Sequence, residues 1–145
     1  MMQITELEVW KASMELAKST YETSGNFPET GSGTLSAMIR SAATSIPANI
    51  AAAASRKHGK EPLNNLQKAK GLIFELETQL YLAEKLGYIN DDQLNSLLEQ
   101  VDTSRRLLFG FIKYYQRSDN HQWNNHHSES QQDFNSDETQ PDTSF

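Results

Sequence analysis

Between Leu35 and Ala54 the chain reads LSAMIRSAATSIPANIAAAA, with Leu35, Met38, Ile39, Ile46 and Ile50 recurring at three- and four-residue steps. Ala42, Ala43, Ala51, Ala53 and Ala54 fill the positions between them. This spacing lays an apolar stripe along a helix, and the alanines let a neighbouring backbone come close. Pro47 falls inside the pattern, has no N–H for the carbonyl of Ala43, and predicts a kink. Three further segments carry the same rhythm. Leu7, Trp10, Met14, Ala17 and Tyr21 form the first seam; Leu66, Ala69, Ile73, Leu76, Leu80 and Ala83 form the third. Leu94, Leu97, Val101, Ser104, Leu108, Phe111 and Tyr115 form the fourth. No stretch alternates with the period of two that a strand requires.

The ends of these segments are marked chemically. Thr5 and Glu8 stand as a capping box, with Ile4 and Val9 placed for a hydrophobic staple. Gly25, Asn26, Phe27 and Pro28 end the first helix, and Ser32 or Thr34 caps the second. Gly31 and Gly33 precede a helix, yet no strand comes before them and no Lys-Ser/Thr pair follows, so the segment reads as a turn. Pro62 suits the first turn of the third helix and Gly87 its C-terminal cap. Asn90 and Gln93 form a reciprocal cap for the fourth. Gly71, inside the third helix, predicts close packing against the alanines of the second. The fold expected is all-α, an antiparallel up-down-up-down four-helix bundle.

Charge divides the chain in two. All 13 Lys and Arg lie at or before Arg117, together with 13 of the 19 acids, so the body is neutral. The excess of −6 belongs to the segment after it, which turns to Ser, Asn, Gln, His and acids. Residues 1–117 are therefore expected to form one bundle domain, and 118–145 a disordered polar and acidic tail. His121, His126, His127 and Trp123 cluster in that tail at spacings that preorganise no metal geometry, and no metal site is predicted. The absence of cysteine excludes disulfides and thiolate chemistry. No apolar run reaches the roughly 20 residues of a membrane span, and the start MMQITELEVW lacks the features of a signal peptide. A cytoplasmic protein is the expectation.

Several motifs together resemble the 23S rRNA intervening-sequence protein family, also called the four-helix bundle protein family. They are Arg40-Ser41-Ala42-Ala43 with Ser45-Ile46-Pro47-Ala48-Asn49-Ile50-Ala51, Leu7-Glu8-Val9-Trp10-Lys11, and Phe27-Pro28. Ala69-Lys70-Gly71 running into Glu75-Leu76-Glu77-Thr78-Gln79-Leu80, and Leu86-Gly87-Tyr88-Ile89, complete the set. The resemblance spans Leu7 to Tyr114 and extends to the accessory variability determinant proteins of diversity-generating retroelements. It implies a four-helix bundle, a homopentamer, and RNA and a reverse transcriptase as partners. The chain departs from the family pattern at Ser41, where an arginine is usual, and at Ala52 and Ala53, where glutamate and glycine are usual. His58 stands where a capping serine is usual.

Enzymatic readings fail on specific absences. No Glu-x-x-His pair exists for a di-metal site, and Glu75 and Glu77 point in different directions on a helix. No catalytic residue, cofactor or small-molecule substrate is predicted. Two functional readings remain open. One is a non-catalytic homo-oligomeric RNA-binding or ribonucleoprotein-scaffolding protein, in which cations sparse on one copy gather around an assembly. Its candidate contacts are Arg56, Lys57 and Lys60 in the densest basic run, then Arg105, Arg106, Lys113 and Arg117 on the fourth helix. The other is a structural or protein-interaction oligomer with no nucleic-acid partner. Trp10, Pro47, Asn49 and Gly71 are structural candidates; Asn49 is expected to satisfy backbone groups released by Pro47 or to bond across a subunit boundary. Phe109, Ile112 and Tyr114 lie off the fourth seam and predict a second buried surface on that helix.

Overall fold

The computed structural model describes residues 3–29, 31–56 and 59–131, with side chains through Ser118. After a short 3-10 turn at Ile4–Glu6 come four helices: α1 (Glu8–Ser24), α2 (Leu35–Ala54), α3 (Lys60–Lys85) and α4 (Asp91–Gln131). No strand occurs among the described residues. Each helix packs on the next in the chain, and α4 closes the ring against α1, leaving α1 and α3 at opposite corners. Paired positions run in opposite senses along neighbouring helices. Ser24 accepts from Ser36 and Arg40, while Met14 and Ala17 lie beside Thr44 and Pro47. Glu77 meets Arg105, and Lys70 meets Phe109. The pairs α1/α2 and α3/α4 are thus antiparallel.

The third seam is buried at every expected position, from Leu66 to Ala83. Leu94, Leu97, Val101, Ser104 and Leu108 of α4 are buried too, as is Ile112, expected to lie outside the core. Phe111 and Tyr115 are only half-buried. On α1 the expected seam is displaced. Its buried face carries Val9, Ser13, Leu16, Ala17, Thr20 and Ser24, whereas Met14 and Tyr21 are exposed and Trp10 packs half-buried on the core edge. Small hydroxyl residues face inward because they return hydrogen bonds to their own helix: Ser13 to the Trp10 carbonyl and Thr20 to that of Leu16. An inner face built this way lets α1 sit close to its neighbours.

Gly87, at φ +77°, ends α3: its N–H bonds Glu84 and the Tyr88 N–H bonds Ala83. This double bond satisfies the last carbonyls of the helix. Asn90 and Gln93 exchange side-chain-to-backbone bonds of 2.8 and 2.9 Å at the start of α4. Thr34 caps α2 through the Ala37 N–H. The expected Thr5–Glu8 box does not form. Leu7 is the N-cap residue of α1 and makes no side-chain cap; its burial in the core fixes the entry of the chain instead.

The helix of α2 continues through Pro47, whose ring is buried. Another expectation is corrected. Gly71 is exposed, and a methyl group added there would meet nothing within 4 Å, so within one chain it serves no close approach. The helical backbone of α4 runs on past Ser118 to Gln131. No glycine or proline lies between 111 and 140 to stop it. The side chains of the tail histidines and residues 132–145 lie outside the described residues.

Candidate nucleic-acid interface

One end of the bundle gathers the C-terminus of α2, the N-terminus of α3 and the stretch of α4 around Tyr115. The Tyr115 hydroxyl donates to the Ala53 carbonyl at 3.1 Å, with the Arg56 carbonyl as a second acceptor at 3.5 Å. A side chain of α4 thus closes the open end of α2, where backbone carbonyls lack helical partners. Burial pushes the Tyr115 phenol above its ordinary value, and the neighbouring Tyr114 adds to the effect. Phe111, Tyr114 and Tyr115 pack as an aromatic group, with Tyr115 edge-on to Phe111 at 5.1 Å and to Tyr114 at 5.6 Å.

That anchor brings four of the seven candidate cations to the same end. Arg56 adjoins the Tyr115 hydroxyl, Lys60 opens α3, and Lys113 and Arg117 flank Tyr115 two residues either side. Lys60, Lys113 and Arg117 are exposed, and none forms an ion pair among the described residues. Arg56 is paired with Glu61. Lys57 and His58 lie outside the described residues.

Arg105 and Arg106 diverge from this group. Arg105 is held between Glu77 at 2.8 Å and Asp102 at 3.2 Å, with its guanidinium 5.6 Å from the Phe74 ring centre. Burial opposes its charge, yet the Asp102 hydrogen bond and Glu77 outweigh that and hold its pKa above the ordinary value. Its work is to join α3 to α4. Arg106 is exposed and lines a shallow groove of about 370 Å³ with Leu7, Val9, Gly110 and Tyr114.

Arg40, within the signature segment of α2, was not singled out by charge clustering. Its Nε donates to Ser24 Oγ at 2.8 Å and Nη2 to the Tyr21 carbonyl at 3.0 Å, while the guanidinium lies 4.0 Å over the Tyr21 ring. It caps the C-terminal end of α1, where a cation is favoured. A lone arginine in an otherwise apolar helix was the available signal. Asn49 is half-buried and donates from Nδ2 to the Ser45 carbonyl at 2.9 Å, so within the chain it serves its own helix and not the carbonyl of Ala43.

Among the described residues, no group of three His, Asp or Glu could hold a metal ion, and no helix is long and apolar enough to cross a membrane. The exposed end can attract anions through charge.

Comparison with known proteins follows the bundle closely. The crystal structure of a protein of unknown function from the S23 ribosomal protein family of Bacteroides thetaiotaomicron superposes with a TM-score of 0.65. It is 28% identical, and the match covers 72% of this chain and 98% of that one. No curated protein matches. Residues 5–110, which take in α1, α2, α3 and the first half of α4, match the 23S rRNA-intervening sequence protein family, and the chain belongs to that family.

Proposed function

We propose that the chain is a non-catalytic homo-oligomer that binds RNA or scaffolds a ribonucleoprotein through its basic end. The observation that supports this reading is that Arg56, Lys60, Lys113 and Arg117 lie on the elements that meet at the Tyr115 end of the bundle. Four cations on one copy, one of them already paired, give weak attraction to a phosphate backbone. Repeated around a ring of copies they give a strong one, because each phosphate contact adds counterion release. The family resemblance favours five copies in the ring and a reverse transcriptase as a protein partner, in a cytoplasmic particle. Backbone contacts of this kind hold an RNA without reading its sequence.

A second reading has its own support. The body is neutral, and Arg56 and Arg105 spend their charge on carboxylates of the same chain. An oligomer that engages only proteins would need no more.

The test is the salt dependence of binding to a single-stranded RNA of mixed sequence. Affinity is expected to fall steeply as salt rises, and Lys60→Ala with Lys113→Ala and Arg117→Ala is expected to weaken binding at least tenfold and flatten the slope. Binding that ignores both salt and these substitutions, or no binding at low salt, favours the protein-only oligomer.

A further inference from the structure

On α4, Arg106, Gly110, Tyr114 and Arg117 follow one another at four-, four- and three-residue steps, and all four are exposed. At about 100° per residue they share one stripe, roughly 80° wide, and stand about 4.5–6 Å apart along the helix axis. Its order is cation, gap, aromatic ring, cation. The gap is open: a methyl group added at Gly110 would meet nothing within 4 Å. A glycine there costs the helix up to about 1 kcal/mol against alanine, and no neighbour in the chain requires its small size.

Tyr114 is 60% exposed, more than any other large apolar or aromatic side chain among the described residues. It is nevertheless braced. The Phe111 ring lies parallel to it within 5°, at 6.3 Å between centres, and Tyr115 stands edge-on at 5.6 Å. Helical side chains lean toward the N-terminus, so the ring reaches over the turn where Gly110 has no side chain. There it borders the groove of about 370 Å³ that Leu7 and Val9 wall on the side of α1. Clefts that hold small molecules begin at about 300 Å³. Arg106 lines the groove, while Lys113 and Arg117 lie within one turn of Tyr114. None of these three cations forms an ion pair among the described residues. Glu8, the acid in the lining, is drawn to Lys11 at 3.3 Å.

We infer, on the RNA-binding reading above, that this stripe takes an unpaired strand: a base lies in the gap over Gly110 against the Tyr114 ring, and its flanking phosphates are held by Arg106 and Arg117. A braced, exposed ring between free cations meets both halves of a nucleotide, the flat base and the charged phosphate. A duplex shows its phosphates but keeps its base faces stacked inside, so only a single strand can use the ring. Every base has such a face, so the contact selects strandedness and not sequence.

The experiment compares three probes of equal length on the full chain: a mixed-sequence single strand of RNA, the same strand without its bases, and a fully paired RNA duplex. The intact strand is expected to bind about fivefold or more tighter than the abasic one, a margin that Tyr114→Ala removes and Tyr114→Phe restores. Gly110→Leu fills the gap. It is expected to keep its helical circular dichroism, since leucine favours a helix more than glycine does, and to lose the same margin. Neither Tyr114→Ala nor Gly110→Leu removes a charge, so the slope of affinity against salt is expected to stay that of the wild type, as is binding of the duplex. Salt-dependent binding that treats intact and abasic strands alike, or that both variants leave unmoved, overturns the base contact and leaves the basic end as an RNA site. An equal loss of duplex and single-strand affinity on Tyr114→Ala overturns it as well. No binding of any probe at low salt removes the RNA reading itself, and the base contact with it. A change in assembly mass on Gly110→Leu with RNA affinity unmoved means that protein fills the gap, which also overturns it.

Discussion

Tyr115 shows how much one hydroxyl can organise. It spans from α4 to the last carbonyls of α2 and thereby sets where the connection to α3 begins. Replacing it by phenylalanine keeps the ring in its aromatic group and removes only that bond, so a loss of about 1 kcal/mol in denaturant unfolding is expected. The pH dependence has a defined sign. A phenol whose pKa is raised in the folded state contributes its stability below the ordinary value of 10.0 and loses it as pH climbs through the folded value. Wild-type stability should therefore fall further than that of Tyr115→Phe in strongly alkaline solution, and equal losses would contradict a phenol raised by burial. Arg40 and Arg105 teach a related lesson: both sit beside aromatic rings and accept company from the chain itself, so their positive charge is structural.

At the scale of elements, α3 was the most legible helix and α1 the least. Every position of the α3 seam is large or clearly small, and its ends are marked by Pro62 in the first turn and Gly87 after the last. On α1 the periodicity correctly indicated a helix but selected the wrong inner face, because size and hydrophobicity were concentrated on the outer one. Serine and threonine that bond their own helix are invisible to a pattern of apolar residues, yet they fill the inner side. Among the described residues, the exposed large apolar side chains number only Tyr114 on α4, against Met14 and Tyr21 on α1, Met38 on α2, and Phe74, Tyr81 and Leu82 on α3. Of the candidate cations, Lys60, Lys113 and Arg117 are exposed with no ion pair among the described residues, whereas local charge density could not see that Glu77 and Asp102, one of them on another helix, would occupy Arg105. Gly71 remains an expensive residue at an exposed helical position. Gly71→Ala is expected to raise the stability of the bundle by up to about 1 kcal/mol in thermal unfolding, since the added methyl meets nothing. A destabilised variant would show that something outside the chain already fills that space.

For the whole molecule, the bundle is a complete core with an incomplete outside. The seam of α3 is buried fully and that of α4 as far as Leu108, while α1, α2 and α3 also turn aromatic and methionine side chains to solvent. Exposed cations meanwhile gather at one end, where Lys60, Lys113 and Arg117 form no ion pair among the described residues. Both features make sense when copies join side by side, which covers the exposed faces and multiplies the basic ends. The direct measurement is the mass of the unmodified chain in solution by light scattering over a dilution series. A stable multiple of 16.4 kDa that persists on dilution is the expected result. A single-chain mass at every concentration would contradict the account.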